Sequence, residues 1–118
     1  MEQHPEVKFR AYTPADYIPE AMKCYRKALA VLELFLHREY EGQRQYMWEG
    51  MQTFHWFFHQ RIAACHKRLG EVRECEAEIN EAYRIIASSW DDFEENREYY
   101  MKPFYQYLKD YDLAEYIR

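Results

Sequence analysis

Glycine, proline and the small hydroxyl residues are scarce in this chain, with three Gly, four Pro, two Ser and two Thr among 118 residues. So few turn formers cannot join the many short strands of a sandwich or barrel. Basic residues are outnumbered, 16 Lys and Arg against 21 Asp and Glu, and the net charge of −5 supplies no overall positive field toward nucleic acid or an anionic membrane. No long apolar run is present. The opening segment MEQHPEVKFR has the character of neither a secretory signal nor a membrane span, which predicts a cytoplasmic protein. Cysteine is limited to Cys24, Cys65 and Cys75, an odd number that argues against a disulfide scaffold and for reduced, packed thiols.

Apolar and aromatic residues are plentiful instead. They reach 48% and 19% of the chain, with 12 Tyr, 7 Phe and 3 Trp, which is enough to fill one core and too much for a disordered chain. The expectation is an all-α fold, an antiparallel bundle of about four helices forming one domain over residues 1–118. Residues 1–12 read as an extended lead-in and residues 112–118 as a short tail with a turn through Leu113, Tyr116 and Ile117.

Helical periodicity locates the elements. Thr13-Pro14-Ala15-Asp16 supplies a cap, a first-turn Pro and an acid three places on, with Pro19 competing as the first-turn residue. Ala21, Cys24, Tyr25, Ala28, Leu32, Phe35 and Leu36 then mark one stripe of a helix running to about Tyr40 and ended by Gly42. A second helix, about Gln43 to Leu69, carries Met47, Met51, Phe54, Phe58, Ile62, Cys65 and Leu69 on one stripe and Tyr46, Trp56, Phe57 and Ala64 on the opposite, mixed side. A helix apolar on two sides is covered on two sides. Either the first and fourth helices provide that cover, or another molecule does.

Gly70 permits a tight turn into a third helix with Val72, Cys75, Ile79, Ala82, Tyr83 and Ile86 on its apolar face. Ser88 and Ser89 read as overlapping caps for a fourth helix that has Glu94 and Glu95 in its first turn, carries Phe93, Tyr100, Phe104, Leu108 and Tyr111, and is kinked or split at Pro103.

The segment Ile62-Ala63-Ala64-Cys65-His66-Lys67-Arg68-Leu69-Gly70-Glu71-Val72-Arg73-Glu74-Cys75, followed by Ile79 and Ala82, resembles a tetratricopeptide repeat. The resemblance places Ala63, Cys75 and Ala82 at small-residue positions, Gly70 at the turn, and Ile62 and Ile79 at larger apolar positions. His66 and Val72 depart from the aromatic residues common there. A weaker echo, Ala21-x-x-x-Tyr25-x-x-Ala28-Leu29, lies 54 residues before its counterpart at Ala82, well past the usual repeat of about 34. The good match covers about a quarter of the chain, roughly residues 56–87, and a plain four-helix bundle satisfies the same periodicities.

What this resemblance implies is a groove for protein segments lined by the first helix of the pair. On this chain those positions are Phe57, Gln60, Ala64, Lys67 and Arg68, with Trp56 on the flank. Trp56 and Phe57 would anchor apolar groups while Lys67 and Arg68 meet a carboxylate.

Three histidines, His55, His59 and His66, fall within about 40° of arc on the second helix. His55 and His59, four apart, suit chelation of a divalent ion or an approach to haem, and antiparallel pairing about Gly42 would bring Cys24 level with His59 as a third ligand. The competing reading is boundary packing of imidazoles, since the Glu-x-x-His spacing of di-iron bundles is missing. Cys65 and Cys75 come level across Gly70, which suits close helix packing better than redox chemistry.

Enzymatic chemistry has little support. There is no Gly-x-Ser-x-Gly elbow and no phosphate-cradling loop. The acid cluster Asp91, Asp92, Glu94, Glu95 and Glu98 reads as a solvated face. Tyr99, Tyr100, Tyr105 and Tyr107 suit a protein interface better than a base-stacking platform, which needs a cationic track. The sequence therefore predicts a non-enzymatic interaction module without a cofactor, binding a protein or peptide partner or a second copy of itself through Trp56, Phe57, Gln60, Ala64, Lys67 and Arg68. Alternatives are a metal- or haem-binding bundle on His55, His59 and Cys24, and a small inhibitor or immunity-type protein.

Overall fold

A computed structural model describes residues 14–36 and 44–118, with side chains over 17–34 and 51–118. The expected lead-in over residues 1–12 and the stop at Gly42 lie outside the described residues. Four α-helices occur among the described residues: α1 (Pro14–Leu36), α2 (Arg44–Arg68), α3 (Val72–Ser89) and α4 (Arg97–Asp110), followed by a 3-10 turn, Ala114–Tyr116. The fold is all-α, and α2 and α3 form a closely packed antiparallel hairpin.

Helix α1 is described from Pro14 and continues through Pro19. Its buried residues are Ile18, Leu29 and Leu32, an arc that shares Leu32 with the expected stripe and lies about half a position round from its centre. Cys24 consequently points to solvent.

The α2–α3 turn follows from one residue. Gly70 holds φ +76°, and its N–H reaches the Lys67 carbonyl (3.0 Å) while that of Glu71 reaches back to His66 (2.9 Å). This double closure satisfies carbonyls that the end of α2 leaves unpaired. His66 Nδ1 and Glu71 Oε1, 2.9 Å apart, join the same two residues through their side chains.

From α3, Cys75, Ile79, Ala82, Ile85 and Ile86 are buried, whereas Val72 stays exposed. Ser88 and Ser89 turn their hydroxyls back into α3, donating to Arg84 and Ile85 carbonyls (2.9 and 2.6 Å), so neither caps the next helix. Turns cross residues 91–96, and α4 starts at Arg97, beyond the Glu94 and Glu95 expected in its first turn. It then runs through Pro103 without a break. Pro103 is the seventh residue of α4 and leaves the Tyr99 carbonyl without its helical donor, yet the helix continues to Asp110 and the expected split does not occur.

The core lies where α2, α3 and α4 meet. Trp56, Ala63, Cys75, Ile79, Ala82, Ile86, Phe93, Met101, Phe104, Leu108 and Leu113 form one buried cluster. The chain end closes over it: Leu113 is fully buried, its N–H donating to the Leu108 carbonyl (2.8 Å), while Asp112 takes the left-handed conformation at φ 62°. Tyr83 and Tyr105 donate their hydroxyls to the Tyr116 and Arg118 carbonyls (2.6 and 3.0 Å). Residues 112–118 are thus a packed strap.

Candidate functional site

The mixed side of α2 is covered from within. Trp56 is 2% exposed, its ring 5.0 Å from Phe104 and 6.0 Å from Tyr107. Gln60 is fully buried and donates through Nε2 to the Phe104 carbonyl at 3.2 Å, bridging α2 to α4. Phe57 is half-buried against Tyr107 (4.9 Å) and Tyr111 (5.9 Å). Trp56 and Gln60 therefore belong to the core, closed over by Phe104 and, at Trp56, by Tyr107, one of the tyrosines expected at an external interface. Tyr99 alone of that Tyr set stands well out at 76% exposed, and Tyr100 stacks on Trp90 (5.0 Å, 8° between planes).

The remaining predicted positions, Ala64, Lys67 and Arg68, do line an open groove. It has a volume of about 580 Å³ and is walled by Tyr17, Ile18, Ala21 and Tyr25 of α1 and by Asp110, Tyr111 and Asp112 at the end of α4. Arg61, which the sequence reading passed over, lies along its floor. Its guanidinium donates twice to the Tyr25 hydroxyl (3.0 and 2.9 Å) and stacks on the Tyr111 ring at 3.8 Å.

The groove's charges are unequally satisfied. Lys67 bridges Glu115 (2.8 Å) and Asp112 (3.4 Å), and the hydrogen bond it donates to Glu115 raises its pKa. Asp110 accepts from Gln106 (2.9 Å). Both rim carboxylates are thus engaged, while Arg61 and Arg68 have no carboxylate partner among the described residues. Cys65 also faces this groove, and burial pushes its thiol up despite the two guanidiniums nearby. Cys75 lies instead in the core below Tyr116, so the two thiols are not a pair.

The histidines form a second constellation at the seam of α1, α2 and α3. His55 Nε2 lies 3.3 Å from Glu33 Oε2, and His59 Nδ1 lies 2.6 Å from Glu78 Oε1. Arg26 stands 3.3 Å from the other Glu78 oxygen and 3.4 Å from His66 Nε2. Burial lowers the His55 pKa against the pull of Glu33. At Glu78 burial disfavours the charged form, but His59 and Arg26 outweigh it and hold the carboxyl below its ordinary range.

Cys24 does not join this group. Tyr25 pairs with Arg61 and Glu33 with His55, so the register lies a few residues beyond the pairing assumed about Gly42 and sets Cys24 nearer the Arg61 end of α2. The side chain from α1 that meets His55 and His59 is Glu33. Helix-wheel arithmetic on α1 could have found Glu33 only with that register in hand.

Among the described residues an apolar surface stays uncovered. Val31 and Phe54 are 54% and 52% exposed and flank a shallow hollow with Ala28, Leu32 and Phe58. No helix among the described residues is long and apolar enough to cross a membrane. No family model, curated protein or solved structure matches the chain.

Proposed function

We propose that this chain is a protein-interaction module whose groove between α1, α2 and the end of α4 takes an acidic peptide segment. The observation that carries this reading is the pair of guanidiniums, Arg61 and Arg68, set among tyrosine rings without a carboxylate of their own. A carboxylate brought by a partner would gain charge-assisted hydrogen bonds there, and Tyr17, Tyr25 and Tyr111 offer area for an apolar neighbour. The local positive charge stands out on a chain of net charge −5. The likeness of α2–α3 to a tetratricopeptide pair belongs to this proposal, supported by the complete burial of Ala63, Cys75 and Ala82.

Fluorescence anisotropy with a labelled Glu-rich peptide carrying one Phe tests the reading. Binding should weaken as salt rises, and Arg68→Glu should lower affinity at least tenfold at unchanged melting temperature. Equal binding of the same peptide with Lys in place of Glu, or no effect of Arg68→Glu, would reject it.

Self-association is a second reading, supported by the exposed hollow of Val31, Phe54 and Phe58. A wholly apolar patch is its own complement across a two-fold axis. Light scattering of the native chain and of Phe54→Lys checks it: a dimer abolished by the substitution is expected, and a monomer at high concentration rejects it.

A further inference from the structure

We propose that Glu33, His55 and His59 form a binding site for a divalent transition metal, with zinc as the type ion. Three observations converge on it. First, one ligand atom from each of the three residues lies within 4.8 Å of the others, and His55 and Glu33 are already 3.3 Å apart. Ligand atoms on a tetrahedral zinc sit about 3.4 Å from one another, given bond lengths near 2.1 Å. A modest side-chain closure reaches that figure.

Second, His59 is 8% exposed, and its Nε2 is buried without a hydrogen-bond partner among the described residues. An unpaired buried polar atom is unfavourable by about 1–3 kcal/mol. A metal ion would supply its missing partner. Third, the other ring nitrogen is already engaged: Nδ1 meets Glu78 at 2.6 Å, and Glu78 is held in turn by Arg26 at 3.3 Å. A carboxylate on the far nitrogen fixes the tautomer that presents a lone pair at Nε2, an arrangement that accompanies metal-ligating histidines almost without exception.

The donor set identifies the ion class. Two imidazoles and one carboxylate suit zinc, cobalt, nickel or copper, whereas magnesium and calcium demand oxygen ligands. Three protein ligands leave a fourth position for water or a side chain from a partner. The helix supplies the chelating pair because residues four apart share one face of α2, and α1 supplies Glu33 across the seam.

The test uses the full chain, stripped with a chelator and dialysed. Zinc titration against a chromophoric chelator should give one equivalent per chain, and cobalt should give visible bands of a four-coordinate site without a thiolate charge-transfer band. Glu33→Gln and His59→Ala should each weaken zinc binding at least tenfold, Glu78→Gln by about 10–100-fold, and Cys24→Ala not at all. Glu33 is partly exposed, so Glu33→Gln keeps the test valid if His59→Ala fails to fold. Less than 0.2 equivalent of zinc, unchanged affinity in Glu33→Gln, or loss of binding in Cys24→Ala would each overturn the proposal.

Discussion

Replacing Trp56 with Ala tests whether α4 seals the mixed side of α2. Trp56 is 2% exposed and packs against Phe57, Phe104 and Tyr107, so truncation removes nearly a whole indole from a closed environment. Such changes destabilise by about 3–5 kcal/mol through lost transfer energy and the void left behind. A domain of this size is stable by only about 5–15 kcal/mol in total, so the loss is a large fraction. With an m-value near 2 kcal/mol/M, the urea midpoint followed by far-UV circular dichroism should fall by about 2 M at unchanged m. Tyr99→Ala, at a ring 76% exposed, serves as the control and should stay within about 0.5 kcal/mol. Were the Trp56 side an open binding surface, Trp56→Ala would cost less than about 1 kcal/mol and match the Tyr99 control. That result would refute the placement of α4.

Gly70→Ala meets no atom within 4 Å but must keep φ +76°, so urea denaturation should show a loss of about 1 kcal/mol from backbone strain alone. The Tyr116 phenol, hydrogen-bonded to Cys75 and partly desolvated, is pushed up to about 12. The folded state therefore keeps its proton where the unfolded state, titrating near 10, has lost it, and stability should fall as pH rises from 10 through 12. Tyr116→Phe should flatten that alkaline limb in pH-dependent melts, and an unchanged slope would contradict the assignment. Thiol labelling under native conditions should modify exposed Cys24 quickly, Cys65 more slowly and buried Cys75 only on unfolding, as read by mass spectrometry.

The helical class and the α2–α3 hairpin were legible in the sequence because each rests on local chemistry. Scarce turn formers excluded strands, and Gly70 marked the turn where only a left-handed residue closes both hydrogen bonds. Readings that depended on tertiary neighbours fared differently. Ser88 and Ser89 carry the composition of caps, yet a hydroxyl bonds as readily to the preceding turn, and here that option prevails. The two-sided character of α2 was correctly sensed, but no local rule assigns Trp56 to α4 and leaves Phe54 in solvent. Both rings are apolar, and only the packing partner differs.

The sites were half legible for the same reason. Lys67 and Arg68 reach the groove because they follow Ala64 on one face of α2, a periodicity visible in the chain. Arg61 was missed because its significance comes from Tyr25 and Tyr111, which are 36 and 50 residues away in sequence. His55 and His59 were found by spacing. Their third neighbour depends on the α1–α2 register and on which face of α1 turns inward, because Glu33 lies nine residues from Cys24 on the opposite side of that helix.

We propose that α2 binds its partner through the Arg61–Arg68 groove and not through the Trp56 side. A two-dimensional NMR titration of the isotopically labelled chain with the Glu-rich peptide tests it most directly. The account predicts shifts at the side-chain Nε–H of Arg61 and Arg68 and at the amides of Tyr17, Ala64 and Tyr111, with the Trp56 indole N–H unmoved. Movement of the Trp56 indole while the two arginines stay still would contradict it.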